Sequence, residues 1–193
     1  MEQIKSKGFT LIELLIVIGI LAVLVTITIV VLNPAQMFAQ ARDSQRFSDL
    51  ANVSKAIEYY LASGVTPDMD AAFSSFCGTN FSSTYGAGVT TSLTGTYQAI
   101  TSTSSVTGTG WVPIDFSYMF TGTTISDLPI DPTNTATYAY SYGCNNTAKT
   151  FELNANLESV RYANGGGTDD KESKDGGNST TVYEVGNEPG LDL

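Results

Sequence analysis

The chain has 193 residues, 42% of them hydrophobic, and its 19 acidic residues outnumber 9 basic ones to give a net charge of −10. An acidic surface repels phosphate backbones, so we expect no bulk binding of nucleic acid. The sequence has no histidine, which removes the commonest general base and every Ser-His-Asp arrangement. Because no paired-carboxylate motif stands out either, the composition predicts a protein that is not an enzyme.

The N-terminus joins a short polar stretch to a long apolar one. Residues 1–8 are hydrophilic, and Lys5 and Lys7 lie just before the apolar run. The run has no charge from residue 14 to residue 32, about 28 Å as a helix and close to the roughly 30 Å bilayer core. It is longer than the apolar core of a secretory signal peptide, and the preceding lysines favour a cytoplasmic N-terminus. We therefore predict a membrane-spanning helix over residues 9–32.

Glu13 is the feature that a plain membrane anchor leaves unexplained. It lies near the start of the apolar run. A carboxylate inside a spanning helix is costly, so such residues are functional by default. Its position therefore indicates a role beyond anchoring.

The residues around Glu13 carry a specific pattern. Residues 7–14, Lys-Gly-Phe-Thr-Leu-Ile-Glu-Leu, resemble the processing motif of type IV prepilins and type II secretion pseudopilins. The resemblance implies that residues 1–8 are a leader peptide, which prepilin peptidase removes by cutting between Gly8 and Phe9 before it methylates Phe9. It also implies that the Phe9 amine of one subunit pairs with the otherwise unpaired Glu13 carboxylate of its neighbour during assembly.

Residues 33–64 are predicted to continue the helix in amphipathic form, with Pro34 as a kink rather than an end. Apolar residues recur at steps of three and four. They are Phe38, Ala41, Phe47, Leu50, Val53, Ile57 and Leu61. Charged residues, including Arg42, Asp43, Arg46 and Asp49, are predicted on the other side. We expect this half to pack on a sheet and also to face neighbouring subunits.

Residues 65–193 are predicted to form a globular head. From residue 71 to residue 114 the head has no charge and is rich in Ser, Thr and Gly. Such low complexity is typical of a disordered linker. The same stretch also contains aromatic residues and Cys77, which favour a loop between the helix and the sheet.

Four short runs in the head have the pattern of strands. They cover residues 111–116, 138–142, 151–157 and 181–185. The third alternates apolar and polar residues, which predicts a half-buried strand, and Pro113 favours an edge position for the first. A long helix followed by antiparallel strands is an α+β fold. We predict a long N-terminal helix, membrane-spanning and then amphipathic, packed on a small antiparallel sheet.

The chain has two cysteines, Cys77 and Cys144. In the predicted topology they lie beyond the membrane, where an oxidising compartment favours disulfides. We predict that they form a disulfide, and two buried free thiols are the alternative.

The glycine-rich segment of residues 165–178 contains Asp169, Asp170 and Asp175, which could offer the oxygen ligands that calcium needs. A second resemblance bears on this segment. Residues 128–132, Leu-Pro-Ile-Asp-Pro, are similar to the segment before the sheet in major pseudopilins of type II secretion, which carry a C-terminal calcium site. The spacing departs from that of those pseudopilins and from an EF-hand, and Lys171 and Lys174 lie among the carboxylates. We therefore predict a solvated loop without a cofactor, and calcium binding is the alternative.

The resemblance implies a structural subunit, a pilin or pseudopilin, of a type IV pilus-like filament. Its partners would be other copies of itself, prepilin peptidase, a membrane assembly platform and, before assembly, membrane lipid. The chain would first cross the cytoplasmic membrane once and then enter an extracellular or periplasmic filament at the cell surface. The alternative is a minor tip pilin that acts as an adhesin or in DNA uptake. A third hypothesis, an anchored extracellular domain without a fibre, leaves Glu13 and the cleavage motif unexplained.

Overall fold

The computed structural model describes residues 8–63, 66–70, 77–78, 80–84, 93, 104–119, 122 and 125–193. Most of the predicted leader and most of the uncharged loop lie outside these residues, so the structure leaves both predictions untested. The fold is α+β, with a long N-terminal helix followed by a small antiparallel sheet, as the sequence predicts. The chain divides into two compact units, Met1–Phe38 and Ala39–Leu193.

The first unit contains helix α1, Leu11–Leu32. None of its residues is buried, and it is long and apolar enough to cross a membrane. The helix ends at Asn33, which adopts the left-handed conformation with φ of 41°. Asparagine tolerates this conformation better than most residues. Pro34 then begins the next helix at its first position, where no backbone N–H is needed.

Helix α2, Pro34–Ala62, belongs mainly to the second unit. Its predicted apolar stripe is confirmed in part, because Leu50, Val53 and Ile57 are completely buried whereas Phe38 and Ala41 are exposed. The predicted polar side is partly wrong, because Asp43 and Arg46 are buried as completely as Leu50. The physical reason is that both side chains find charged partners within the second unit.

The sheet has four antiparallel strands in the order β1-β2-β3-β4. Their bounds are Phe81–Ser82 for β1, Ser141–Asn145 for β2, Thr150–Ala155 for β3 and Tyr183–Gly186 for β4. One row across the sheet is apolar, since Phe81 pairs with Tyr142, Tyr142 with Leu153, and Leu153 with Val185. This row packs into the core together with α2, as expected for a sheet covered by a helix.

Two strand predictions need correction. The run over residues 111–116 is not a strand, although Trp111, Val112 and Ile114 are completely buried. Pro113 has no backbone N–H with which to pair with a neighbouring strand. The Trp111 side chain is bound separately, because its indole N–H donates to the Pro129 carbonyl at 2.9 Å.

The run over residues 151–157 does contain β3, but the strand is not half-buried. Glu152 and Asn154 on its polar side are 1% and 0% exposed. Both faces of this strand are therefore covered.

The predicted disulfide is present and joins Cys77 to Cys144 in β2. The bond spans 67 residues of sequence. The Cys77 backbone N–H also donates to Asp70 at 2.8 Å. The disulfide therefore fixes one point of the segment between α2 and β1 against the sheet.

Candidate processing and assembly site

The residues on both sides of the predicted cut are accessible. Gly8, Phe9 and Thr10 precede α1 without regular structure, and the Phe9 side chain is 86% exposed. A Cβ placed on Gly8 would meet nothing within 4 Å. A protease that binds an extended substrate could therefore reach this bond.

Glu13 lies in the first turn of α1, where it forms a capping box with Thr10. Its Oε2 accepts hydrogen bonds from the Thr10 backbone N–H at 2.8 Å and from the Thr10 hydroxyl at 2.7 Å. The Glu13 N–H in turn donates to the Thr10 hydroxyl at 3.3 Å. Glu13 therefore has hydrogen-bond partners in its own chain, but it forms no ion pair with a described residue. The carboxylate is held close to Phe9, the residue that would carry the new amine.

The rest of α1 is suited to an apolar environment. Glu13 is its single charged residue, and every other large side chain of the helix is apolar. The Thr26 and Thr28 hydroxyls donate to the Ala22 and Leu24 carbonyls, each at 2.8 Å. A polar group in hydrocarbon must be satisfied in this way. The helix therefore leaves only Glu13 as a polar contact for a partner.

A second charged group of side chains lies in the other unit, around Arg46. The guanidinium binds Asp131 through two parallel hydrogen bonds of 2.7 and 2.9 Å. It also donates to Asp43 at 2.8 Å and to Glu158 at 2.5 Å. Both carboxylate oxygens of Asp43 also accept hydrogen bonds, from the backbone N–H groups of Glu158 and Ser159. We call these four side chains, Asp43, Arg46, Asp131 and Glu158, the Arg46 cluster.

The Arg46 cluster connects α2 to the head. Burial alone would raise the pKa of Glu158, but hydrogen bonds from Arg42, Thr133 and Arg46 lower it to about 2. Asp131 is the acidic residue of the Leu-Pro-Ile-Asp-Pro segment. The cluster therefore joins α2 both to that segment and to the residues after β3. Its three carboxylates share Arg46, while Arg42 also pairs with Glu158 and backbone N–H groups donate to Asp43, and we assign it a structural rather than a chemical role.

The sequence analysis missed this cluster because alternating charges on a helix normally indicate a solvated face. The signal that could have found it is Asp131, a carboxylate inside an apolar, proline-rich segment. Such a residue needs a partner when its segment packs into a core.

The three calcium candidates have other partners. Asp169 accepts from Arg161 at 2.8 Å, Asp170 from the Ser173 N–H at 3.0 Å, and Asp175 from the Glu184 N–H at 2.7 Å. Among the described residues, which include this whole segment, no three acidic or cysteine side chains come together as a metal site would require. These carboxylates are not arranged as a calcium cage among the described residues, and the alternative of calcium binding stays untested.

The comparison with known protein families agrees with the N-terminal features. Residues 4–29 match the family model described as the prokaryotic N-terminal methylation motif. No curated protein and no solved structure matches the chain. The matched residues include Gly8, Phe9, Glu13 and most of α1. The chain therefore carries, at its N-terminus, the signature of the type IV prepilins and pseudopilins.

Proposed function

We propose that this chain is a structural subunit of a type IV pilus-like filament. Before assembly α1 holds the chain in the cytoplasmic membrane, and the unit Ala39–Leu193 lies outside. Prepilin peptidase removes residues 1–8 and methylates Phe9, and a membrane assembly platform then inserts the subunit into the filament. Other copies of the same chain replace lipid around α1.

The observation that carries the proposal is the single carboxylate on an unburied apolar helix. A helix of this kind needs an apolar environment around all its sides. Lipid supplies one before assembly, and a bundle of identical helices supplies one afterwards. Because Glu13 is costly in either place without a partner, it favours the arrangement in which a neighbour brings a positive charge.

Cleavage after Gly8 would create that positive charge at the right end of the helix. The new amine on Phe9 would lie four residues before Glu13, at the N-terminus of α1. Oε2 already accepts two bonds from Thr10, so an amine from a neighbouring subunit is expected to approach through Oε1. The capping box then fixes the orientation of the Glu13 carboxylate. It leaves Oε1 available for the amine of a neighbouring subunit.

The test compares the parent chain with Gly8→Val and with a control, Gly19→Val, in which a Cβ also meets nothing within 4 Å. Mass spectrometry of the membrane-extracted chain should find a methylated N-terminus at Phe9 in the parent and the control. Gly8→Val should stay full length, since the branched side chain at the scissile position obstructs the extended substrate. Sheared surface fibres should contain the parent and lack Gly8→Val.

Three results would contradict the proposal or narrow it. A mature terminus near Arg42 would indicate an ordinary secretory signal peptide. Fibres built from full-length Gly8→Val would remove the processing step. A processed chain that is scarce in sheared fibres would indicate the minor tip pilin instead of a main subunit.

A further inference from the structure

The face of the sheet turned away from α2 is polar and buried. One row across its strands consists of Ser82, Ser141, Asn154 and Glu184, which pair in that order. None of the four is more than 2% exposed. Polar groups buried in this way are costly unless every one of them is satisfied.

Two glutamates lie next to each other on this face. Glu152 of β3 pairs with Gly186, and Glu184 of β4 pairs with Asn154, so the two acidic residues are diagonal neighbours. Each is 1% exposed. Long side chains of diagonal neighbours on one face are within reach of each other, so the two carboxyl groups can share a hydrogen bond when one is protonated. Glu152 Oε1 has no other partner among the described groups.

A cover lies directly over Glu152. The residues paired with it on either side are Gly143 and Gly186, and neither position has room for a side chain. A Cβ on Gly143 would lie 2.9 Å from Leu93 and 3.6 Å from Leu193. A Cβ on Gly186 would overlap the Phe151 carbonyl oxygen and lie 3.0 Å from Leu191. The Leu193 N–H donates to Glu152 Oε2 at 3.0 Å. Residues 187–193, which we call the covering segment, therefore lie over Glu152.

The charged residues near the pair are mostly acidic. Glu184 Oε2 accepts the Ser179 N–H at 2.9 Å, and its own N–H donates to the Asp175 carboxylate. The glycine-rich segment of residues 165–178 contributes two cations, Lys171 and Lys174. They line an open cavity beside Glu184 together with Asp170 and Asp175. Lys174 already donates to the Gly167 carbonyl. On the covering segment the charged residues are Glu188 and Asp192, which are acidic too.

We propose that Glu152 and Glu184 share one proton, and that loss of this proton releases the covering segment from the sheet. With the proton, the pair carries one charge and a carboxyl–carboxylate hydrogen bond. Without it, two like charges remain in a buried site, and opening the cover lets water reach them. The inference concerns the head alone and does not depend on the proposed filament function.

The pH range follows from the same groups. Burial first, and then the neighbouring Glu184 charge, raise the pKa of Glu152 from its ordinary value of 4.5 to about 7. The folded chain thus keeps a proton that an exposed glutamate loses at lower pH. The state in which the covering segment packs on the sheet is favoured at acid pH. The stabilisation that the retained proton gives this state is lost as the pH rises from 4.5 to about 7.

The test uses the full chain in detergent micelles and two measurements. Carbon-13 NMR of labelled glutamate carboxyls should show one group with a titration midpoint well above the others, and Glu184→Gln should lower that midpoint. Hydrogen exchange should show protection of the covering segment falling about tenfold between roughly pH 5 and pH 8. Glu152→Gln, which resembles the protonated state, should keep protection nearly constant over this range. Asp127→Asn, an exposed carboxylate replaced by its amide, is the matched control and should behave like the parent.

Each other outcome overturns part of the inference. If Glu152 titrates with the other glutamates, the shared proton does not exist. If its midpoint is raised but protection of the covering segment has the same pH profile in Glu152→Gln and the parent, the proton does not control the cover. If Asp127→Asn also flattens the profile, the effect is general electrostatics and the assigned pair is wrong.

Discussion

Helix α1 leaves all its apolar side chains exposed, whereas α2 buries two charged side chains, Asp43 and Arg46. The difference lies in where each helix finds its partners. Asp43 pairs with Arg46 of the same helix, and Arg46 also pairs with Asp131 and Glu158 of its own unit. The apolar surface of α1 has no such cover in its unit, so we infer that lipid or other copies of the chain supply it. Burial is therefore decided by available partners and only partly by residue type.

Replacing Glu13 by Gln should have the largest effect, because it separates assembly from folding. Gln also forms a capping box, so α1 and its insertion should be unchanged. The Phe9 amine of a neighbour would lose its charged partner. We expect normal expression and cleavage with few or no fibres, measured as the ratio of sheared-fibre protein to membrane-pool protein.

Thr10→Ala is the matched control for Glu13→Gln. It removes the hydrogen bonds from the threonine hydroxyl and keeps the Glu13 charge. If charge is what matters, this variant should form more fibres than Glu13→Gln. An unchanged fibre ratio in Glu13→Gln would remove the assembly role from Glu13.

Arg46→Met should have the largest effect on the stability of the head. It leaves the buried carboxylates of Asp43 and Asp131 without their cation. Removing one member of a buried ion pair costs about 3–5 kcal/mol of unfolding free energy. Denaturant unfolding of the full chain in detergent should show this loss, while α1 should keep the chain in the membrane.

Arg161→Met is the control for this substitution. Arg161 also forms an ion pair, with Asp169, but its side chain is 51% exposed. Exposed pairs contribute little, so we expect almost no loss of stability. Equal losses in the two arginine variants would contradict the importance of the Arg46 cluster.

Removal of the disulfide by a double substitution, Cys77→Ser with Cys144→Ser, should cost roughly 4 kcal/mol in the chain-entropy account of a loop of this length. The loop spans 67 residues and lies entirely in the second unit. Thermal unfolding with and without reductant measures the effect. Reductant should lower the melting temperature of the parent and leave the double variant unchanged. Free thiols in the untreated parent would disprove the bond.

Calcium should have the smallest effect. Asp169, Asp170 and Asp175 already accept hydrogen bonds from an arginine or from backbone N–H groups. We expect little difference in melting temperature between a chelator and millimolar calcium. A clear rise that Asp175→Asn abolishes would show a metal site at this loop and overturn this expectation.

The prediction of α1 rests on an uncharged apolar run, and those of the fold class and of the α2 core positions Leu50, Val53 and Ile57 rest on periodicity; the structure confirms them. A period of hydrophobicity is a local property, so one sequence is enough to read it. The strand predicted over residues 111–116 failed because an apolar run does not say whether its backbone pairs in a ladder. In this case the buried residues contribute side chains to the core without joining the sheet.

The sequence alone determined the N-terminal signature, since the leader, the Glu13 position and the apolar helix are contiguous in the chain. Only the tertiary structure decided which charged residues are buried. Arg46 meets Asp131 across 85 residues, and Glu152 meets Glu184 across two paired strands. The charge of a residue is written in the sequence, but the cost of burying it depends on partners that folding brings together from distant segments.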